Sequence, residues 1–171
     1  MCWRDPVSEK LQQASTLVAL NALQHETMDG YLLSALECFT ALDLEGGLAA
    51  LCQFNEALQA HAAHEEQYML PVFDGVGRQD GELPRGASID ILEGDHVSLA
   101  RLSTRSHEAA IALDANRPDL RRQVVLMLPQ IYRLRSVFEH HTVREQELVY
   151  PLLDRQLVAD AHQRLLASLR Q

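Results

Sequence analysis

Apolar residues along this chain recur at intervals of three and four positions through four long segments. That spacing places them along one face of an α-helix, so it predicts amphipathic helices. The segments lie at about 15–43, 48–73, 88–113 and 120–152. Runs of β-branched residues are rare, which favours helices over strands. We therefore expect an all-α fold.

Glycine and proline indicate where these helices end or bend. Gly46 and Gly47 should end the first helix, Pro71 should stop the second, and Pro129 should kink the fourth. A short amphipathic segment at about 157–169 should add a C-terminal helix that caps the others. Helices of this spacing with short connections predict an antiparallel up-down four-helix bundle.

Length and charge narrow the function classes. The 171 residues suit one domain, residues 1–171, with a core bundle at about 15–154. The net charge of −9 and the absence of a basic block argue against nucleic-acid binding. The first ten residues are too charged for a secretory signal, and no stretch is apolar enough to span a membrane. We expect a soluble, cytoplasmic protein.

Two histidine-glutamate pairs lie eighty positions apart. His61 and Glu65 form the first pair, and His141 and Glu145 form the second. Residues four apart lie on the same face of a helix, so each pair can bind one metal centre.

A second repeat accompanies these pairs. His25 and His96 are each followed, eighteen residues later, by the aspartate of an Ala-Leu-Asp sequence. The chain thus resembles two related helical hairpins, at about 15–74 and 88–154. The six candidate metal ligands on the inward stripes are His25, His61, Glu65, His96, His141 and Glu145.

The two glutamates carry the argument for a metal. A carboxylate buried on an apolar stripe costs several kcal/mol unless something compensates it, and nearby stripe positions offer no Arg or Lys. Four imidazoles and two carboxylates suit iron, manganese or zinc. Three cysteines without C-x-x-C spacing predict neither a disulfide framework nor a thiolate site. Two shared carboxylates favour a dinuclear centre with metals about 3.5–4 Å apart.

The doubled His-x-x-x-Glu motif, with a proline ten residues after each histidine, resembles the hemerythrin-like (HHE cation-binding) family over nearly the whole chain. The resemblance implies two iron ions, for which manganese or zinc could substitute. It assigns His25 and His61 to one iron, His96 and His141 to the other, and Glu65, Glu145 and an oxo or hydroxo group to the bridge between them.

The chain departs from the oxygen-carrying members at two places. Position 100 is alanine where those proteins have another histidine, and the last carboxylate is Glu145, at a shorter spacing from its histidine. Open positions on both metals would result. The resemblance implies a metal-binding protein, rather than a dedicated enzyme, that binds or reacts with dioxygen or nitric oxide in sensing, scavenging or iron storage.

Other functions remain open at this point. They include an iron-sulfur cluster repair or iron-donor factor, a di-iron enzyme that consumes peroxide or nitric oxide, and a bundle with a vestigial site that binds a protein partner. The expected partners are a diatomic ligand and, at most, a second copy of the chain.

Tyr68 follows Glu65 by one helical turn, and core packing is the role we expect for it. The alternative is that its hydroxyl points at the centre and donates a hydrogen bond to bound dioxygen or to the bridge. His64 and His140 should lie at the surface or beside the ligands, and His162 should be exposed.

Overall fold

A computed structural model describes residues 6–80 and 83–170, and every regular element in these ranges is helical. In chain order the elements are α1 (Pro6–Gln13), α2 (Leu17–Thr40), α3 (Leu44–His64), π1 (Glu65–Met69), α4 (Leu70–Asp80), α5 (Ile89–Ile111), α6 (Leu120–Arg144), π2 (Glu145–Val149), α7 (Tyr150–Gln156) and α8 (Ala159–Leu169). The all-α class is confirmed. The short helix α1 was not expected from the sequence pattern.

The four long helices pack on one another in a ring. Helix α2 contacts α3 and α6, and α5 contacts the same two helices. The C-terminal helix α8 packs against α2, α3 and π1, as a helix that caps the others should. No helix in the described ranges is both long enough and apolar enough to cross a membrane.

Two separate apolar clusters fill the interior. The first draws its buried residues from 28–39 of α2, 50–58 of α3, 99–110 of α5 and 124–138 of α6. The second lies beyond the other ends of these segments and includes Leu20, Met69, Leu92 and Val149. The six predicted ligands fall between the two clusters in all four long helices. Apolar packing is therefore interrupted at one height by a polar layer.

Each histidine-glutamate helix passes into five residues of π-helix at its glutamate. The N–H of Leu70 donates to the carbonyl of Glu65, and the N–H of Tyr150 donates to the carbonyl of Glu145. A π turn holds one residue more than an α turn. All following side chains therefore shift by one position around the helix.

This shift changes which residues are buried. The apolar stripe of the second predicted helix, continued past Glu65 at intervals of three and four residues, predicts Tyr68 and Val72 as inward residues. Both are half-buried, whereas Met69 and Phe73 are fully buried. The second repeat shows the same displacement from Leu148 to Val149. A helix end near Pro71 was also expected, but the helix continues to Asp80. Proline has no N–H to donate the hydrogen bond of a regular α turn. The helix can continue because the wider π turn just before Pro71 does not need that hydrogen bond.

The glycine pair was expected to end the first helix, but it lies in the first turn of α3. The chain turns at Leu42, whose φ of 63° is left-handed. Asp43 then caps α3 by accepting a hydrogen bond of 2.9 Å from the N–H of Gly46. A Cβ at Gly47 would lie 2.6 Å from the ring of Phe39. Glycine therefore allows α3 to start tightly against α2. Pro129, the expected kink, lies within α6 without ending it.

Asp154 joins three helices at the end of the fold that holds the second cluster. Its carboxylate accepts hydrogen bonds from the backbone N–H groups of Leu17 (3.0 Å) and Val18 (3.2 Å) in the first turn of α2. The Nε2 of His162, on α8, lies 2.6 Å from Asp154 Oδ1. His162 is half-buried, so its expected exposure was wrong. Asp154 thus satisfies two of the N–H groups that the start of a helix leaves free.

We expect Asp154→Ala to lower the free energy of unfolding by about 1–2 kcal/mol, because the first turn of α2 loses its acceptor. Urea denaturation of the metal-free protein measures this. The control is Asp74→Ala, at the corresponding position of the first repeat, where the carboxylate pairs with the exposed Arg78 and caps no helix in the described ranges. That variant should stay within about 0.5 kcal/mol of wild type. Equal losses in the two variants would contradict the capping role.

Candidate metal centre

The structure brings all six predicted ligands together in the polar layer. None is more than 6% exposed, and Glu65, His141 and Glu145 are 0% exposed. Each helix contributes its ligands at the same height, because each has its histidine or histidine-glutamate pair where its stripe passes between the two apolar clusters. Folding therefore moves two carboxylates and four imidazoles into an interior that contains no lysine or arginine among its buried described residues.

Glu65 lies between two histidines from different helices. Its Oε1 is 3.2 Å from His61 Nε2, and its Oε2 is 3.2 Å from His96 Nε2. The two oxygens of this carboxylate therefore face opposite sides of the layer.

Glu145 has the matching arrangement. Its Oε2 is 3.4 Å from His25 Nε2 and 3.9 Å from His61 Nε2, and its Oε1 is 3.3 Å from His141 Nε2. We call His25 and His61 the first half-site and His96 and His141 the second. Each carboxylate has one oxygen beside the first half-site and the other beside the second, where Glu65 contacts one histidine of each, His61 and His96.

Ligand atoms within 4.8 Å of one another form two groups that could each hold a metal ion. The groups are His25, His61, His141 and Glu145, and Glu65, His96, His141 and Glu145. His141 belongs to both, and its contact with Glu145 Oε1 places it with the second half-site. The predicted ligands therefore form two adjacent candidate metal positions.

The layer leaves polar atoms without hydrogen-bond partners. Buried atoms that lack one among the described residues include Nε2 of all four histidines, Oε2 of Glu65 and Oε1 of Glu145. Buried polar atoms in folded proteins nearly always have a partner. A cation on each half-site would satisfy these atoms together, since all are lone-pair donors when the histidines are neutral. The residues present therefore fit a metal pair.

The protonation equilibria of the layer conflict with one another. Burial and the neighbouring His61 hold the pKa of His25 well below its usual value. Burial and the negative charge of Glu65 raise the pKa of Glu145. Burial opposes protonation of His96, but its contacts with Glu65 and Glu66 outweigh burial and raise the pKa of His96 to about 9. No single protonation state suits every group, whereas bound metal cations would suit all of them.

Carboxylates lie behind both histidines of the second half-site. Glu66 Oε1 is 3.0 Å from His96 Nδ1, and Asp95 Oδ2 is 3.6 Å from His141 Nδ1. Arg144 forms an ion pair with Asp95 and holds that carboxylate in place. The Glu66 carboxylate is within hydrogen-bond distance of His96 Nδ1, so it orients that ring and makes its Nε2 a stronger donor to a metal. Asp95 is beyond hydrogen-bond distance of His141 Nδ1 and acts on that ring through its negative charge.

The first half-site instead has neutral hydrogen-bond donors, which sequence reasoning missed. The Tyr150 hydroxyl donates to Glu65 Oε1 at 2.5 Å, and Asn21 Nδ2 donates to Glu145 Oε2 at 3.0 Å. Burial and the charge of Glu65 raise the pKa of Tyr150 well above its usual value, so the hydroxyl keeps its proton. Asn21 precedes His25 by four residues, and that spacing was the available signal.

Tyr68 has the packing role that was expected for it, and the alternative role at the centre belongs to Tyr150. Tyr68 is half-buried against the second cluster, with its ring 6.2 Å from that of His64. The π turn explains this, because its extra residue brings the fifth residue after Glu145, which is Tyr150, to the side of the helix that faces the centre. The available sequence signal was Pro151, directly after Tyr150, because a proline inside a helix indicates a departure from regular α turns just before it. His64 is half-buried and His140 is exposed, within the range expected for them.

Comparisons with protein-family models, with curated proteins and with solved structures find no match to this chain. The resemblance of the doubled motif to the hemerythrin-like family therefore stays a prediction. The candidate centre is defined by the burial and mutual distances of its own side chains.

We expect Tyr150→Phe to destabilise the metal-free protein by about 1–3 kcal/mol, because a buried carboxylate oxygen loses its donor. Tyr68→Phe is the matched control and should change stability by less than about 0.5 kcal/mol. Urea denaturation followed by circular dichroism measures both. If Tyr68→Phe costs as much as Tyr150→Phe, the assignment of the hydroxyl contact is wrong.

We expect Asp95→Asn to weaken binding of Co²⁺ or Zn²⁺ by about 10–100-fold, because His141 loses the negative charge beside its Nδ1. Competition against a chelator of known affinity measures the change. Glu93→Gln, an exposed residue on the same helix, removes the same charge and should bind metal like wild type. Unchanged affinity in Asp95→Asn would show that this carboxylate does not support the site.

Proposed function

We propose that this protein is a non-haem di-iron protein of hemerythrin-like type that binds or reacts with dioxygen or nitric oxide. The observation that carries the proposal is the position of the two glutamates, each with one oxygen toward either half-site. Bridging carboxylates of this kind are how proteins hold two metals a few ångströms apart. We also propose an antiparallel up-down four-helix bundle, which the ring of helix contacts and the short connections support.

The donor count favours a reactive centre over a purely structural one. With His141 counted in the second half-site, that half-site has two imidazole nitrogens and oxygens from Glu65 and Glu145. The first half-site has two imidazole nitrogens and one oxygen of Glu145, and Glu65 Oε1 lies 3.2 Å from its His61. Ala100, one turn after His96, supplies no further donor. Non-haem iron sites that react with small molecules keep positions free of protein ligands in this way. An iron pair would supply reversible transfer of one or two electrons to a diatomic ligand.

The chain's own residues would control the surroundings of that chemistry. Glu65 and Glu145 would hold the two half-sites together as the charge of the centre changes. The Tyr150 hydroxyl would retain its proton and its hydrogen bond to Glu65 Oε1. The two apolar clusters above and below the layer exclude bulk water. Electrostatic interactions within the layer are stronger as a result.

A cavity beside the first half-site suits an uncharged ligand. It has a volume of about 260 Å³ and reaches His61 between α2 and α3. Its wall is mostly apolar, with Met28, Tyr31 and Ala57 among the lining residues, and none of its lining residues is acidic. Dioxygen and nitric oxide are small and weakly polar, so such a wall does not oppose their passage.

The test is to load the metal-free protein anaerobically with ferrous iron, expose it to air, and remove oxygen again. We expect about two irons per chain and charge-transfer absorption that appears with air. Bands that vanish on deoxygenation indicate reversible binding, and bands that persist indicate oxidative chemistry or iron handling. A chain that takes up no iron would contradict the proposal.

Glu145→Gln provides the matched variant, because the amide keeps the shape of the side chain but removes the bridging charge. We expect it to retain at most one iron and to lose the charge-transfer bands. Glu147→Gln, two residues away and exposed, should load iron like wild type. Normal iron content in Glu145→Gln would show that this carboxylate is not a bridge.

A further inference from the structure

A second cavity reaches the first half-site from another side and has a different character. It lies between α2 and α6, has a volume of about 260 Å³ and includes His25 in its wall. Three carboxylates line it, from Glu26, Asp29 and Glu139, against one guanidinium, from Arg135. Three negative groups and one positive group therefore give this opening a net charge of −2. The cavity beside His61 has no carboxylate and includes Arg170.

His25 connects this cavity with the metal centre. The side chain is 2% exposed, and neither ring nitrogen has a hydrogen-bond partner among the described residues. Its Nε2 is 3.4 Å from Glu145 Oε2 without a hydrogen bond, so this imidazole can offer a lone pair to a cation that arrives through the acidic cavity.

One ion pair crosses the opening. Arg135 on α6 donates to both oxygens of Asp29 on α2, at 2.6 Å and 2.9 Å. Both side chains are about one third exposed, at 35% and 31%. This bidentate contact joins the two helices that form the cavity walls. Glu26 and Glu139 are exposed, and neither is within ion-pair distance of a basic group in the described part of the chain.

We propose that this acidic cavity is the route by which divalent metal cations reach the centre. Glu26 and Glu139 attract the hydrated cation, the Asp29–Arg135 pair restricts the opening, and His25 is the first ligand that replaces water. A recess lined by one sign of charge raises the local concentration of counter-ions and their rate of association. The inference rests on the proposed metal centre and adds how that centre is loaded.

The test is the rate at which the metal-free chain takes up Co²⁺, followed by stopped-flow absorption at low and high ionic strength. The variant Glu26→Gln/Glu139→Gln removes two charges from the opening. Glu56→Gln/Glu108→Gln removes two charges from an exposed surface between α3 and α5, so both variants have the same net charge. We expect the first variant to load about tenfold more slowly at low ionic strength and to lose most of its salt dependence.

Final cobalt content should equal that of wild type in both variants, and the control should load at the wild-type rate. Arg135→Gln leaves Asp29 without its partner and should load faster than wild type. Equal rates in wild type and the Glu26→Gln/Glu139→Gln variant would overturn the route while leaving the centre intact. Equal slowing in the control would also overturn it, because net charge alone would then set the rate. Failure of wild type to bind cobalt would instead overturn the proposed centre.

Discussion

Two carboxylates buried among four imidazoles are the constraint on which the rest of this structure depends. Glu65 and Glu145 are 0% exposed, and several polar atoms of the layer around them have no hydrogen-bond partner in the part of the chain that the structure describes. Such a layer is costly in an otherwise apolar interior unless positive charge enters it. The division of the core into two apolar clusters and the placement of one candidate ligand histidine on each long helix both follow from building that layer at a single height.

The π turns solve a geometric problem that the layer creates. Each glutamate must face the centre, and the apolar residues after it must face the second cluster. The extra residue in each π turn rotates the helix so that Met69 and Val149 become fully buried immediately beyond the glutamates. Single π turns inside α-helices are rare and often lie at functional sites. Their presence at equivalent positions of both repeats supports a role in the site.

The repeat is symmetric in its ligands but not in their supporting contacts. The second half-site has carboxylates, from Glu66 and Asp95, behind its histidines. The corresponding positions of the other repeat are Gln146 and Gln24, which are neutral. The first half-site has Tyr150 and Asn21 on its carboxylate oxygens, where the corresponding positions are Leu70 and Leu92. A metal in the second half-site would therefore have the more basic imidazoles, so the two positions are chemically distinct.

The sequence by itself determined the helical class and the six residues that meet at the centre. Both follow from local rules, because helical periodicity sets which residues share a face and a histidine-glutamate spacing of four keeps both on it. Only the tertiary structure decided that the helices continue past Pro71, that Tyr150 rather than Tyr68 contacts Glu65, and that Asp154 caps α2. These features depend on a one-residue shift inside a helix and on contacts between residues more than eighty positions apart. Periodicity assumes a constant 3.6 residues per turn, so it cannot register such a shift or such contacts.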